Sequence, residues 1–223
     1  MLGQLIFRQD GWAAQATDRL VQEHILSQDD RLRGWVVTHE GEGGTVHFVG
    51  AEGPELAVLY RVIFQTPLAA NERLERVGTP TPLAAALSAQ FKAREAALHS
   101  PFKRFTRDVN TVALSAALIG KEGWLVYLLA ATSDPAEMLL GGHTRCHVSE
   151  DGQRVLSVEP LSASILRMPI DARLEAVTHT ITAWPLETHV FASLLYRRPI
   201  PVVTQLGLWD VNGSIIVYKG QVQ

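Results

Sequence analysis

Residues 108–131, which read DVNTVALSAALIGKEGWLVYLLAA, decide the fold class that we predict for this chain. They contain two nearly continuous apolar runs, 111–116 and 124–131, joined through the sequence GKEG at 120–123. Short apolar runs of this kind are typical of strands that are buried on both faces. We therefore predict two strands here. The charged break also leaves each run shorter than the roughly 20 apolar residues that a membrane span needs.

Strand signals continue on the N-terminal side of these runs. Residues 35–39 and 45–49 are rich in β-branched and aromatic side chains and are separated by EGEGG at 40–44, which predicts a hairpin. Residues 56–64 alternate in the same manner after Gly53-Pro54 and predict a third strand.

Turn signals also recur at short intervals towards the C-terminus. The strands predicted there are 143–149, 154–159, 176–182, 208–211 and 214–218. Asn212-Gly213 separates the last two, and this dipeptide between apolar runs favours a two-residue hairpin turn. Residues 186–196 fit either a helix or a strand, and we favour a strand because Arg197-Arg198-Pro199 is typical of a turn.

Residues 12–27 have a helical period. Their apolar residues Ala13, Ala16 and Leu20 recur near helical spacing among polar residues, and Asp10 is a possible N-cap. We therefore predict a helix over this range.

A second helix is predicted over 82–98. Thr81 and Pro82 are suited to the N-cap and the first turn, and Pro101 ends the helix because the residue before a proline is disfavoured in the α region. The predicted apolar face consists of Leu83, Leu87, Phe91 and Leu98.

The order of these elements predicts an α+β fold. It consists of a mixed or mainly antiparallel β-sheet rich in hairpins, with about two principal helices packed on it and most of the helix in the N-terminal half. No long linker interrupts the chain, so we predict a single domain over 1–223. A division near residue 100 would separate a mixed region, 1–100, from a β-rich region, 101–223.

Composition limits the classes of function. The chain has 223 residues, 47% hydrophobic and 19% charged, which is too apolar for a disordered polymer. Its formal charge of −3 provides no basic field for a phosphate backbone, so we expect no nucleic-acid partner. The first ten residues lack a signal-peptide core of about 7–15 apolar residues, and we expect a soluble, cytoplasmic protein without a membrane partner.

Histidines in the C-terminal half are the candidate metal ligands. His143 and His147 lie about 13 Å apart on one face of a regular strand, so both cannot bind one ion there. A zinc-type site would combine one of them with His179, Glu187 or His189 from other segments, because a catalytic zinc needs about three ligands. The alternative, which we favour, is that His143 and His147 flank an exposed turn and that His179 packs between its apolar neighbours.

Two further features have a structural and a functional interpretation. Cys146, the only cysteine, excludes an intrachain disulfide and is predicted to be a small buried residue on the face opposite His147. Residues 101–107, PFKRFTR, mix three cations with two aromatic rings, which could hold single-stranded nucleic acid. An exposed basic turn after a helix explains them equally well.

No motif in the sequence identifies an enzyme class. The patterns of dinucleotide enzymes, P-loop NTPases, α/β-hydrolases and common zinc proteases are absent, and we predict no cofactor. The first hypothesis is a non-catalytic domain that binds a protein partner or self-associates. The second is a small hydrolase or metal-dependent enzyme that uses His143 or His147 with His179, Glu187 and His189. A pocket for an apolar small molecule is a third possibility, with its ligand unknown.

Overall fold

The structure of this protein, a computed structural model, describes residues 2–53, 55–66, 72–80 and 82–221. Its α-helices are α1 Leu2–Gln22, α2 Ile25–Gln28, α3 Ala85–Leu98 and α4 Glu187–Leu195, with a 3₁₀ turn at Ala116–Ile119. The strands of the N-terminal half are β1 Leu32–Glu40, β2 Gly43–Glu52, β3 Glu55–Phe64 and β4 Arg73–Arg76. The strands of the C-terminal half are β5 Val109–Ser115, β6 Trp124–Ala130, β7 Glu137–Gly141, β8 Thr144–Val148, β9 Val155–Pro160, β10 Ile165–Pro169, β11 Val177–Thr178, β12 Ile200–Thr204, β13 Gly207–Asn212 and β14 Ile215–Gly220.

The strands form three four-stranded sheets and one two-stranded ribbon. The first sheet has the order β1-β2-β3-β4, the second β5-β6-β8-β9, and the C-terminal sheet β11-β12-β13-β14, while β7 pairs with β10. Apart from the short parallel pair β11-β12, the described pairs are antiparallel. The predicted α+β fold with mainly antiparallel, hairpin-rich sheets is therefore confirmed.

The first hairpin has a tighter turn than the sequence EGEGG suggests. β1 ends at Glu40 and β2 begins at Gly43, so two glycines of the predicted turn belong to a strand. A Cβ atom at Gly44 would lie 2.5 Å from the Trp12 ring. The glycine therefore allows the α1 tryptophan to lie directly on the strand backbone.

Helix α1 is longer than the predicted range 12–27. It begins at Leu2, so Asp10 lies inside it and is not an N-cap. One segment of its buried face packs on the first sheet through Trp12, Ala16 and Leu20, whereas Ile6 joins the core of the second sheet. The helix extends towards the N-terminus because its first turns also have an apolar face.

The start of α1 packs tightly against α4. A Cβ atom at Gly3 would lie 2.5 Å from the Glu187 carbonyl oxygen and 2.6 Å from the Val190 Cβ atom. Any larger residue would push the helices apart. The chain therefore joins its beginning to residues near its C-terminal end through backbone contact.

Helix α3 packs on the first and the second sheet. Phe91 is buried with Val36 and Val49 of the first sheet, while Ala93 and Ala97 are buried on the second. The helix begins at Ala85 and not at 82, because Pro82 forms a β-bridge with Ala57; the predicted N-cap, Thr81, lies outside the described residues. The predicted end before Pro101 is confirmed.

The predicted strand at 186–196 is wrong, because this segment contains α4. The apolar residues Val190, Phe191 and Ala192 are buried between the ribbon, the C-terminal sheet and α1, which favours the helical alternative. Strand β11 also contains only two residues, whereas the alternation over 176–182 predicted seven.

The last hairpin lies where it is predicted, but its turn is displaced by one residue. Asn212 pairs with Ile215, so the two-residue loop is Gly213-Ser214. Gly213 has a φ of 57° and Asn212 has no positive φ. A turn with positive φ at its first central residue needs one glycine there and not an Asx-Gly pair.

Two helices connect the regions on either side of residue 100, since α1 and α3 each pack on the first and second sheets. The single-domain organisation stays a prediction that depends on these contacts. No helix in the described ranges combines the length and the apolar composition that a membrane span needs.

Candidate functional site

Three of the predicted histidines line one cavity of about 390 Å³, which we call the histidine cavity. His143 directly precedes β8, His179 directly follows β11, and His189 lies in the first turn of α4. The rings of His179 and His189 are in edge-to-face contact, with centroids 4.9 Å apart. The cavity thus brings together residues that are up to 46 positions apart in the sequence.

The backbone fixes each histidine. Gly141 and Gly142, with φ of 85° and 76°, redirect the chain before His143, and the Gly142 N–H donates to Ser162 Oγ. The His179 N–H donates to the Val203 carbonyl at 2.7 Å, which holds this residue beside β12. His189 is held by the helix to which it belongs.

Hydrogen bonds from the backbone determine the protonation of two rings. The Ala130 N–H donates to His143 Nδ1 at 3.1 Å, and the Leu186 N–H donates to His189 Nδ1 at 2.9 Å. A nitrogen that accepts a hydrogen bond carries no proton, so each neutral ring carries its proton on Nε2. Both rings therefore keep an Nε2–H donor that has no partner among the described residues.

The third ring presents the opposite polarity. Thr182 Oγ1 donates to the Trp184 carbonyl and so must accept from His179 Nε2, which lies 2.8 Å away. The neutral ring then has a lone pair on Nδ1. His179 thus adds an acceptor to the two donors of the cavity.

Burial keeps these histidines uncharged. It lowers the pKa of His143 to about 4, and His143 is only 4% exposed. Burial, followed by the nearby His179 and His143, lowers the pKa of His189 to about 3, and burial also lowers the pKa of His179. All three rings are therefore neutral near pH 7.

The other two predicted metal ligands lie outside the cavity. His147 Nε2 lies 2.8 Å from the Glu122 carbonyl oxygen, and Glu187 is paired with Arg145 at 2.6 Å. Within the described ranges, no group of three or more His, Cys, Asp or Glu side chains is arranged to hold a metal ion. The metal site stays a prediction.

Glu187 belongs to a polar network that the sequence analysis did not identify. It accepts from Tyr127 Oη at 2.8 Å and from Arg145, which also pairs with Glu159 at 2.7 Å. Burial and the adjacent Glu187 raise the pKa of Tyr127. The network holds α4 against the second sheet.

Cys146 is fully buried among apolar side chains, on the face opposite His147, as predicted. The basic segment 101–107 uses its aromatic rings internally. Lys103 Nζ lies 4.4 Å from the Phe105 ring centroid, and the Arg104 guanidinium lies 5.0 Å from that of Phe102. One face of each ring is thus covered by a cation from the same segment.

A second candidate surface lies at the outer strand of the C-terminal sheet. β14 is the last strand in the sheet order, and no described strand pairs with its outer side. Four successive apolar side chains of this strand are exposed: Ile215 62%, Ile216 43%, Val217 43% and Tyr218 47%. We call this surface the β14 edge.

Aromatic residues extend the β14 edge across the sheet. The Tyr218 ring centroid lies 4.8 Å from that of Trp209, which lies 4.9 Å from that of Trp184. Trp184 is 60% exposed. A continuous row of three aromatic rings therefore runs from Tyr218 in β14 over Trp209 in β13 to the exposed Trp184.

Two of the other outer strands, β4 and β9, differ from β14 in their side chains. β4 reads Arg-Leu-Glu-Arg, and β9 ends in Glu159-Pro160. Charges and prolines protect outer strands against pairing with other chains. In β14, Lys219 is the only charged residue and lies near the end of the strand.

Comparisons of this chain with protein-family models, curated proteins and solved structures found no match. The functional proposal therefore depends on the geometry of the chain alone.

Proposed function

We propose that this chain is a non-catalytic domain that self-associates through antiparallel pairing of β14 with β14 of a second copy. The observation that carries the proposal is the exposure of four successive apolar side chains, 215–218, on an outer strand. Large exposed apolar patches mark interaction sites, and an unpaired strand offers its N–H and C=O groups to another chain.

The sequence of β14 is complementary to itself in an antiparallel arrangement. With Val217 opposite its own copy, Ile216 lies opposite Tyr218 in both directions, and Ile215 lies opposite Lys219. Pairs of aromatic and β-branched residues across strands contribute roughly 0.2–1 kcal/mol each. Tyr218 connects the strand to Trp209 and the exposed Trp184. This additional apolar area matters because stable interfaces bury roughly 800 Å² on each partner.

The test is Val217→Lys, analysed by sedimentation equilibrium over a range of protein concentrations. Two ammonium groups would then face each other at the two-fold axis, where like charges oppose strand pairing. We expect reversible dimers for the wild type and monomers for the variant. Val217 is already 43% exposed, so the fold should accept lysine, and circular dichroism would check this.

Val21→Lys is the matched control, because Val21 is 54% exposed on α1, away from the C-terminal sheet. This variant should dimerise as the wild type does. A dimer that persists in Val217→Lys, or a wild type that stays monomeric at every concentration, would contradict the proposal. In the second case, binding of a different protein to the β14 edge would become the better hypothesis.

A small hydrolase or metal-dependent enzyme is the second candidate function. It is favoured by the convergence of His143, His179 and His189 on one cavity. Elemental analysis of protein purified without a histidine tag tests it, and stoichiometric zinc, iron or manganese would support the enzyme over the self-associating domain.

We further propose a cytoplasmic location and no nucleic-acid partner. The single cysteine, buried and unpaired, is consistent with a reducing compartment. The formal charge of −3, together with the internal cation–ring pairs of 101–107, supports the second statement.

A further inference from the structure

The polar groups of the histidine cavity form an uncharged pattern. His143 and His189 each present an Nε2–H donor, and His179 presents an Nδ1 acceptor. None of these three nitrogens is among the buried side-chain atoms that lack a partner, so each reaches accessible space. No Asp, Glu, Lys or Arg is among the described residues that line the cavity.

We propose that the histidine cavity binds a small uncharged ligand through an amide group. A carbonyl oxygen has two lone pairs and can accept from both Nε2–H donors, while an amide N–H can donate to His179 Nδ1. One planar amide group therefore offers both the acceptor and the donor that complement the three rings. This inference is independent of self-association.

A charged ligand fits this cavity less well. A carboxylate would lose its hydration, and the cavity has no cation to compensate its charge. An ammonium group, which is itself a donor, would meet the two Nε2–H donors of His143 and His189. A metal ion needs ring lone pairs. On His143 and His189, the lone pair of Nδ1 already accepts a hydrogen bond from a backbone N–H. A metal ion bound to Nε2 would move the proton of the neutral ring to Nδ1, where it would face that N–H donor.

The remaining wall contains apolar and hydroxyl side chains and no charged one. Leu140, Leu161, Leu166 and Val177 form its apolar part, and its hydroxyl residues are Ser162, Ser164, Thr178, Thr180 and Thr188. A volume of about 390 Å³ lies in the range typical of small-molecule sites, roughly 300–1,000 Å³. A short aliphatic or aromatic amide therefore matches both the polar and the apolar part of the site.

Nuclear magnetic resonance of protein labelled with ¹⁵N in histidine is the first measurement. At neutral pH, we expect His143, His179 and His189 all to be neutral, with the proton on Nε2. A charged ring, or a proton on Nδ1 of His143 or His189, would remove the donors and overturn the proposal.

The second measurement titrates the wild-type protein with hexanamide and, separately, with sodium hexanoate near neutral pH. We expect hexanamide to bind at least about tenfold more tightly, because the carboxylate must lose its hydration without a compensating charge. Equal affinities, tighter hexanoate, or no shift of the three histidines with hexanamide would overturn the proposal.

His143→Asn tests the cavity directly. Asparagine Oδ1 can still accept from the Ala130 N–H, but the variant lacks the Nε2–H donor. We expect about a tenfold loss of hexanamide affinity, which corresponds to one hydrogen bond. His147→Asn is the matched control, because His147 lies in β8, four residues after His143 and outside the cavity, and this variant should bind as the wild type does. Equal losses in both variants, or none in His143→Asn, would contradict the assignment.

Discussion

Replacement of His143 by asparagine should make the protein more resistant to acid. The pKa of His143 falls from an ordinary 6.5 to about 4 on folding because the ring is buried. His143 therefore becomes protonated below about pH 6.5 in the unfolded chain but only below about pH 4 in the folded chain. Stability is lost as the pH falls through this window, since protonation favours the unfolded state.

The size of the effect follows from the two pKa values. Between pH 7 and pH 5, the single histidine should lower the free energy of unfolding by about 2 kcal/mol. Other groups also titrate here. Protonation of His189 also lowers stability as the pH falls, because its pKa is lowered on folding. Protonation of Asp10 has the opposite effect, because burial, partly offset by a hydrogen bond from Asn110, raises the pKa of Asp10 to about 6.

The comparison of His143→Asn with the wild type isolates the contribution of His143 from the others. Urea unfolding at both pH values gives the stability difference between the two proteins. The variant should lose the packing of the His143 ring against Phe191, whose ring centroids lie 6.0 Å apart, at both pH values. From pH 7 to pH 5, the stability difference between the two proteins should shift by about 2 kcal/mol in favour of the variant. A stability difference that does not change with pH would refute the reasoning.

Two further predictions concern packing and backbone. Phe91→Ala should lower the free energy of unfolding in urea by roughly 3–5 kcal/mol, because the Phe91 ring is buried between α3 and the first sheet. Lys92 is exposed, so Lys92→Ala should change stability by less than about 0.5 kcal/mol. Equal small losses would show that Phe91 is not a core residue. Gly213→Val should lower thermal stability by about 1–2 kcal/mol, because φ is 57° there, and Ser214→Ala should be nearly neutral; a fully stable valine variant would argue against this turn.

The sequence predicted those elements whose local pattern agrees with their surroundings in the fold. The hairpin of β1 and β2, the strands β5 and β6, and the end of α3 are examples, since their apolar residues also form the core. The segment 186–196 shows the limit. Its apolar residues fit both periods, and packing against α1 and the C-terminal sheet determined the helix.

The candidate site could be predicted only in part. His143, His179 and His189 were candidates by residue type, but their convergence depends on the ribbon, β11 and α4, which the sequence pattern did not place. Glu187 was also a candidate, yet its partners Arg145 and Tyr127 lie on strands far away in the sequence. Pairing between distant segments leaves no local signal.

The tight contact between Gly3 and α4 has a consequence for the order of folding during synthesis. Trp12 can dock on the first sheet once residues up to 64 have emerged, but Gly3 has no partner until Glu187 and Val190 are made. At roughly 5–20 residues per second, this interval lasts roughly six to twenty-five seconds. During that time the start of α1 lacks its contact with α4, and the uncovered part of the helix is a surface that chaperones can bind.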